Sequence, residues 1–464
     1  MLTDKRPREV LVIGAGFTGL AAAVELCRLK IPFTLVERER EIGGLSKTFV
    51  LEEKRFELGP HIYFDKDYEV TEYWRSFLGD SLKSYSRNNR IYFRGQFIKS
   101  PLSVTDAIFK IGLSRVVRIV SSFFLAKCRK YKVESAEDWV ISNFGKGLYD
   151  YFFKVYNEKI WGLPCDQISA NWAGQRIKSN LVSLVFQSLS RKKVTGSKTF
   201  DFPDEGSASL SRAQLKTILE SNVSEVKLGS QPTEIIRNGK FFGVSFTDGH
   251  TAYYSHIIAT CHLDDLADII RGFDIDSERL RSLTEKLIYR NLIVVNFVFD
   301  KRLVRGFNEH WIDIHDPKIK ALRVTNFSSF EKSHTESKLT GIGVEYNCFA
   351  ADSVWALPDE RLIQLARKDL HTMSLVNGDH RVADVVRVER AYPVYFNGFE
   401  ETLESIMAEF EKIKGLQMAG RNAMYRWNNM HHSVKTGLLA ARNCAGANHD
   451  LASVKGMFTF GKEE

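Results

Sequence analysis

From Glu9 to Ile13 the chain is a short apolar run that leads straight into Gly14-Ala15-Gly16-Phe17-Thr18-Gly19. That order predicts a buried strand, a tight glycine turn and a helix from Leu20 to about Lys30, then a second strand over Phe33–Val36 ending on Glu37. Further along, Phe242, Val244 and Phe246 alternate between the turn pairs Asn238-Gly239 and Asp248-Gly249, so residues 225–249 read as an antiparallel meander. His256–Thr260 reads as another buried strand, and residues 289–300 and 340–350 alternate as strands of a second sheet. Residues 104–190 read as mostly helical, with Ser135-Ala136-Glu137-Asp138 opening one helix as a capping box. The most lipid-like window, Ile108–Leu125, is broken by Lys110, Arg115 and Arg118. It predicts a basic amphipathic helix on the surface of a helical subdomain; membrane or partner contact is the less favoured alternative.

Composition narrows the class. With 464 residues, about three domains or two large ones are expected. Hydrophobic residues at 44% and charged residues at 26% exclude a disordered or fibrous chain. Prolines are few and no Gly- or Ser-rich linker separates the segments, which predicts one interleaved body. A net charge of +8 suits an anionic small-molecule substrate or a transient membrane surface, and does not by itself argue for nucleic acid. The six cysteines are scattered and the N-terminus lacks a signal-peptide pattern, so the expectation is a cytoplasmic protein with reduced thiols and no metal site. His431-His432 is read as structural, because neighbouring side chains on a helix do not face one another.

The glycine turn carries the clearest chemistry. Gly14 permits the turn, Gly16 lets backbone approach a pyrophosphate, and Gly19 lets helix pack on strand. The helix N-terminus then presents unpaired N–H groups to phosphate. Glu37, 37 − 19 = 18 residues past the last glycine, suits both hydroxyls of a ribose and would repel a 2′-phosphate. A second glycine pair, Gly43-Gly44, follows at once. Near the other end, a strand ending in Gly420-Arg421 and a helix starting around Asn429–His432 offer a guanidinium and N-terminal amides as a second anion site. Two phosphate-cradling elements so far apart in sequence suit a long dinucleotide held across a split domain.

These motifs, together with Leu58-Gly59-Pro60-His61-Ile62-Tyr63-Phe64, Arg90–Gly95, Tyr156–Gly162, Trp172–Arg176, Phe202–Gly206 and Arg390–Val394, resemble the FAD-dependent group that contains amine oxidases, protoporphyrinogen oxidases and UDP-galactopyranose mutases, the mutase-like flavoproteins being nearest. The resemblance implies an α/β architecture with a discontinuous glutathione-reductase-like (Rossmann) FAD-binding domain over 1–95, 200–288 and 412–464. A helical subdomain is expected over 96–199, and the sheet of a mixed α+β substrate domain over 289–411. Non-covalent FAD would be held by Gly14, Gly16, Phe17, Thr18, Gly19, Glu37, Arg38, Gly43, Gly44, Leu45, Gly59, Pro60, His61, Gly420, Arg421, Asn429, Met430 and Ser433, with NAD(P)H as an optional external reductant. His61, which matches the mutase histidine that adjusts to flavin redox state, has an equal claim to be structural. Arg176, Arg323 and Arg421 match arginines that contact sugar or diphosphate, and each could equally be an ordinary ion-pair residue. Trp161, Trp311, Tyr392 and Trp427 match aromatic substrate positions.

There are departures. Ser100, Ser103, Asp313, Phe330 and Trp427 replace a tyrosine, a glutamine and three further tyrosines. Pro232 falls near a backbone position that binds adenine through an N–H proline lacks. Two reactions stay open: a redox-neutral ring contraction of a nucleotide sugar through a flavin N5–sugar adduct, and an oxidation of amine oxidase or protoporphyrinogen oxidase type. The arginines and the basic charge favour the first. Oligomeric state is left open.

Overall fold

Val10, Leu11 and Val12 have no exposed surface because parallel strands flank them in the sheet and a core cluster covers each face, Leu11 on one and Val10 and Val12 on the other. The computed structural model describes residues 8–63, 67–100, 110, 112–176, 199–331 and 337–454. Its first sheet has eight strands, in the order Ile270–Arg271, Pro232–Asn238, Phe241–Phe246, Thr251–Ala259, Arg8–Ile13, Phe33–Glu37 and Ser224–Leu228, with Leu416–Met418 added alongside Ile257–Ala259. Helix Phe17–Leu29 packs on this sheet and against helix Met430–Cys444. The expected meander is present over residues 232–259 and continuous with the parallel strands, whereas Ser224–Leu228, expected as its start, pairs in parallel with Phe33–Glu37 instead.

The second sheet has seven strands: Val382–Pro393, Tyr289–Asp300, Leu339–Cys348, Arg323–Asn326, Trp311–Ile314, Asn89–Phe93 and Gln96–Ser100. The hairpin 89–100 therefore joins the later strands, and the division expected between residues 95 and 96 falls in its turn. Tyr289–Asp300 alternates in sequence, yet all ten of its inner residues are buried. The reason is cover on both faces: Leu362, Ala366 and Leu370 of helix Asp359–Thr372 belong to the cluster on one side, and Phe56 and Leu58 to the clusters on the other.

The helical region runs through 113–127, 136–144, 154–161 and 170–176. Residues 128–135 and 162–169 are described and form turns, a short 3₁₀ segment and extended chain between these helices, whereas 104–109, 111 and 177–190 of the region expected to be helical lie outside the described residues. Ser135 forms its capping box: its Oγ accepts from the Asp138 amide at 3.2 Å, and Asp138 Oδ2 accepts from the Ser135 amide at 3.1 Å. A cap of this kind is worth about 1 kcal/mol. Strands Leu82–Ser86 and Thr199–Pro203 pair with each other outside both large sheets.

Candidate functional site

The two ends of the described chain meet at the first glycine turn. A Cβ on Gly19 would overlap the Gly14 carbonyl, so helix and turn touch through backbone alone. Likewise a Cβ on Gly420 would strike the Thr18 hydroxyl, and one on Gly437 the Thr18 carbonyl. Thr18 is thus enclosed by the C-terminal element, and buried Phe17 and Met430 belong to the same core. Gly43 donates to the Ala15 carbonyl at 2.8 Å, which seats the second glycine pair on the first turn, with Gly44 exposed and Leu45 half-buried beside it.

Glu37 stands over this turn. Its Oε2 accepts from the Ala15 amide at 2.7 Å and its Oε1 from the Glu39 amide at 3.0 Å. The carboxylate keeps lone pairs for ribose hydroxyls. Arg38 points outward beside Glu39, at 3.4 Å. Residues Gly229 and Ser230 donate to the Glu39 and Glu37 carbonyls, both at 2.9 Å. They carry the Pro232 segment past the ribose carboxylate, and Pro232 opens a strand beside a register shift, where its missing N–H is tolerated. The buried Ser230 hydroxyl has no hydrogen-bond partner among the described residues.

Across the cleft Arg421 donates to the Asn428 carbonyl at 2.7 Å and to the Ala391 carbonyl at 3.4 Å. Among the described residues no carboxylate pairs with it, and burial pushes its pKa down. The Asn428 side chain is buried with neither amide atom partnered. A glycine cradle, a guanidinium without an acidic partner and an orphaned amide fit a dinucleotide pyrophosphate. At the start of helix Met430–Cys444 the Asn429 amide donates to His432 Nδ1 at 3.0 Å, and the Ser433 amide to the Asn429 carbonyl at 3.1 Å. The His431 and His432 rings lie 3.8 Å apart, against the expectation that they would not meet. That expectation assumed a regular helix surface, whereas His432 folds back to cap the first turn.

Gly59-Pro60-His61 passes over the second sheet, and a Cβ on Gly59 would lie 3.6 Å from Glu345 Oε2. His61 Nδ1 is 3.3 Å from Glu57 Oε2, not aligned as a hydrogen bond. Buried Glu57 also accepts from the Ser207 amide and hydroxyl and from the Thr48 hydroxyl, which fixes it beneath the loop. Burial, with Glu57 adding to it, drives the Tyr63 phenol far up, so it stays protonated.

Arg323 lies between two carboxylates. Its strand places it directly opposite Asp313 on one side and Glu345 on the other. Its Nε donates to Asp313 at 3.0 Å and its Nη1 to Glu345 at 3.3 Å. Tyr156 donates to Asp313 Oδ1 at 3.0 Å, Trp311 Nε1 to Asp313 Oδ2 at 3.2 Å, and Thr325 to Glu345 at 3.1 Å. Burial opposes the charge on Arg323, but Glu345 and Asp313 more than offset it, and its pKa stands well above the usual value. Burial raises the Asp313 carboxyl and Arg323 pulls it down further, to a net lowering. The sequence suggested Arg323 as a partner of diphosphate; the geometry matches its charge with acids of its own. Arg87 is a cation without a carboxylate partner on this side, among the described residues; it lies 5.4 Å over the Trp311 ring and donates to Asn89 at 3.1 Å. Backbone places Arg176 at the end of helix Ala170–Arg176, and its side chain lies outside the described residues.

The aromatic positions form one wall. Tyr392 stacks on Trp427 at 4.7 Å and 19°, Arg421 sits 5.3 Å over Tyr392, and Trp427 meets Trp161 edge-on at 5.0 Å. Tyr392 and Trp427 are half-buried, whereas Trp161 is 0% exposed and backs the wall without lining it. The sequence reading missed Glu57, Tyr156, Glu345 and Arg87 as site residues, and saw Asp313 only as a departure. Phe330, another departure, belongs to the aromatic cluster of Phe200, Phe202 and Trp311.

His315 extends the network, stacked on Tyr156 at 4.2 Å with Nδ1 2.8 Å from the Phe152 carbonyl. Burial drives its pKa from 6.5 down to about 4, against the pull of Asp313. A group with a depressed folded pKa contributes stability that is full above its unfolded pKa and is lost as pH falls toward the folded one. Between pH 6.5 and about 4 the parent is therefore expected to lose on the order of 3 kcal/mol through this residue. Urea unfolding of His315→Asn across that range should show a correspondingly shallower decline, and identical profiles would refute the assignment.

The chain is similar in part to the UDP-galactopyranose mutase of Mycoplasma genitalium, 27% identical over 179 residues, 35% of this chain and 42% of that protein. It is also similar to the L-amino-acid oxidase BjussuLAAO-I of Bothrops jararacussu, 35% identical over 89 residues, 19% of this chain and 18% of that one. The chain thus spans less than half the length of these curated relatives. Its fold is like that of a crystal structure of reduced UDP-galactopyranose mutase, with a TM-score of 0.85, 21% identity and coverage of 98% of this chain and 100% of that one. The family model for flavin containing amine oxidoreductase matches residues 17–445. With that span matched and a cradle fit for its cofactor, the chain belongs to the flavin containing amine oxidoreductase family and is an FAD-dependent enzyme.

Proposed function

We propose that this enzyme is a redox-neutral mutase that contracts the pyranose ring of a nucleotide sugar to a furanose. One observation carries the reading: the region beyond Gly59-Pro60-His61 is built from charged, hydrogen-bonded groups. Tyr156, Asp313, Arg323 and Glu345 form a fixed polar network, and Arg87 adds a cation beside it. Such a lining suits sugar hydroxyls and a diphosphate, and is costly to desolvate around an apolar substrate. The likeness to reduced UDP-galactopyranose mutase along the whole chain supports the same reading.

FAD would lie along Gly14, Gly16, Gly43, Gly44 and Arg421, with Glu37 on its ribose; reduced, it supplies a nucleophilic nitrogen for the anomeric carbon. NAD(P)H as the external reductant belongs to this proposal. The chain's own part is positioning. Asp313 and Glu345, both bonded to Arg323, would accept from sugar hydroxyls, and Arg87 with Arg176 would receive the diphosphate as it departs. His61, with Glu57 at 3.3 Å, would border the cofactor ring.

A second reading rests on a different observation. The parallel Tyr392–Trp427 stack offers an aromatic face to a cationic amine, as an oxidase of this family would need. The two readings separate in one assay. Anaerobic, dithionite-reduced enzyme is incubated with pyranose nucleotide sugars of several bases and sugars, and products are resolved by chromatography. Furanose product without consumption of reductant is the expected result. No conversion across the panel, with peroxide released from amines in air, would replace the mutase by the oxidase.

A further inference from the structure

Helix 113–127 is the part of the described chain whose surface the proposed chemistry leaves unused. Its inward face is ordinary: Ile119, Phe123 and Ala126 are buried, and the Ser122 hydroxyl accepts from the Gly147 amide at 2.9 Å. Its outward face is not. Leu113, Val117, Val120 and Phe124 are 72%, 59%, 43% and 63% exposed, and Leu125 is 61% exposed beside them. Steps of four, three and four residues put the first four on one line along the helix, about 16 Å long. This is a continuous apolar stripe, not scattered exposure.

The rim of the stripe is one-signed. Arg115, Arg118, Lys127, Arg129, Lys130 and Lys132 are all exposed, and no Asp or Glu occurs from Gly112 to Val133. Lys132 pairs with Glu134 at 2.6 Å, and Lys127 donates to the Ser142 carbonyl at 3.1 Å. Among the described residues no helix is long and apolar enough to cross a membrane.

We propose that this face docks on an anionic lipid surface, the helix lying in the interfacial plane with its stripe among the acyl chains and its cations at the headgroups. Charge selects this occupant over a second copy of the chain. A symmetric pairing of two such stripes would set one cationic rim against another, whereas a bilayer of anionic lipid receives stripe and rim together.

The test is co-sedimentation of the full-length, flavin-loaded protein with vesicles of phosphatidylcholine alone, or of phosphatidylcholine and phosphatidylglycerol in equal parts. The protein should pellet with the mixed vesicles, stay in solution with the neutral ones, and be released by high salt. Val117→Glu/Phe124→Glu, which changes only exposed side chains, should lower the bound fraction by about tenfold at unchanged flavin content. Arg118→Glu/Lys130→Glu should weaken binding to the mixed vesicles likewise. Protein that stays in solution with the mixed vesicles overturns the proposal, as does equal pelleting of the Val117→Glu/Phe124→Glu variant. So does a dimer that this variant splits without any lipid binding by the parent, which would assign the stripe to a second copy.

Discussion

Arg421→Leu protein is expected to purify nearly free of flavin while unfolding at close to the temperature of the flavin-stripped parent. The guanidinium is buried against two carbonyls, with no carboxylate to neutralise it among the described residues. A buried cation in that position is stable when an anion completes it, and the glycine turns open toward the same cleft. Removing it would delete charge-assisted bonds worth about 3 kcal/mol or more, a loss of at least two orders of magnitude in cofactor affinity. The flavin-free protein itself loses little, because among the described residues Arg421 makes no ion pair there. The ratio of flavin to protein absorbance after gel filtration measures the outcome. Full flavin content in the variant would move the pyrophosphate elsewhere and undo the cofactor placement argued above.

Arg323→Met is expected to act in the opposite sense, on stability first. It leaves Asp313 and Glu345 buried and facing each other's charge without a cation between them. Breaking a buried ionic network from one side typically costs about 3–5 kcal/mol. The two carboxylates would then take up protons more readily in the folded state than in the unfolded one. Raised folded pKa values make the cost greatest at high pH and reduce it as pH falls. Urea titrations of parent and variant over the acid-to-neutral range test both size and sign. A triple variant, Arg323→Met/Asp313→Asn/Glu345→Gln, should recover most of the loss. A variant as stable as the parent at neutral pH would show that the network carries no net charge interaction.

What could be read from the sequence, and what could not, follows from how local each constraint is. The Gly14–Gly19 turn announces itself because its tightest contact, Gly19 on the Gly14 carbonyl, acts within six residues, and Glu37 sits one helix and one strand away. Gly420-Arg421 was read as an anion site from its place between a strand and a helix, although the contact that fixes Gly420 is with distant Thr18. The Asp313–Arg323–Glu345 row was not, since its members become neighbours only through the register of three antiparallel strands. A slip of one residue would turn Arg323 to the opposite face. Hairpin 89–100 was divided from its sheet because its partner, Trp311–Ile314, lies more than 200 residues later. Trp161 resembled a substrate contact in sequence, and only packing shows that Tyr395 and Trp427 enclose it.

The clasp of Gly420 and Gly437 around Thr18 has a consequence for biosynthesis. The first glycine turn is synthesised long before its cover, and it has no closed crevice until residues about four hundred positions later arrive to cover Thr18. Flavin capture must then be a late event, following docking of the last helix, and the nascent turn has to wait as a sheet without its cover. Such long-range closure is slow and leaves apolar edges open to aggregation. Flavin supply during expression would therefore raise the yield of soluble enzyme by trapping molecules that have already closed, with no acceleration of the closure itself.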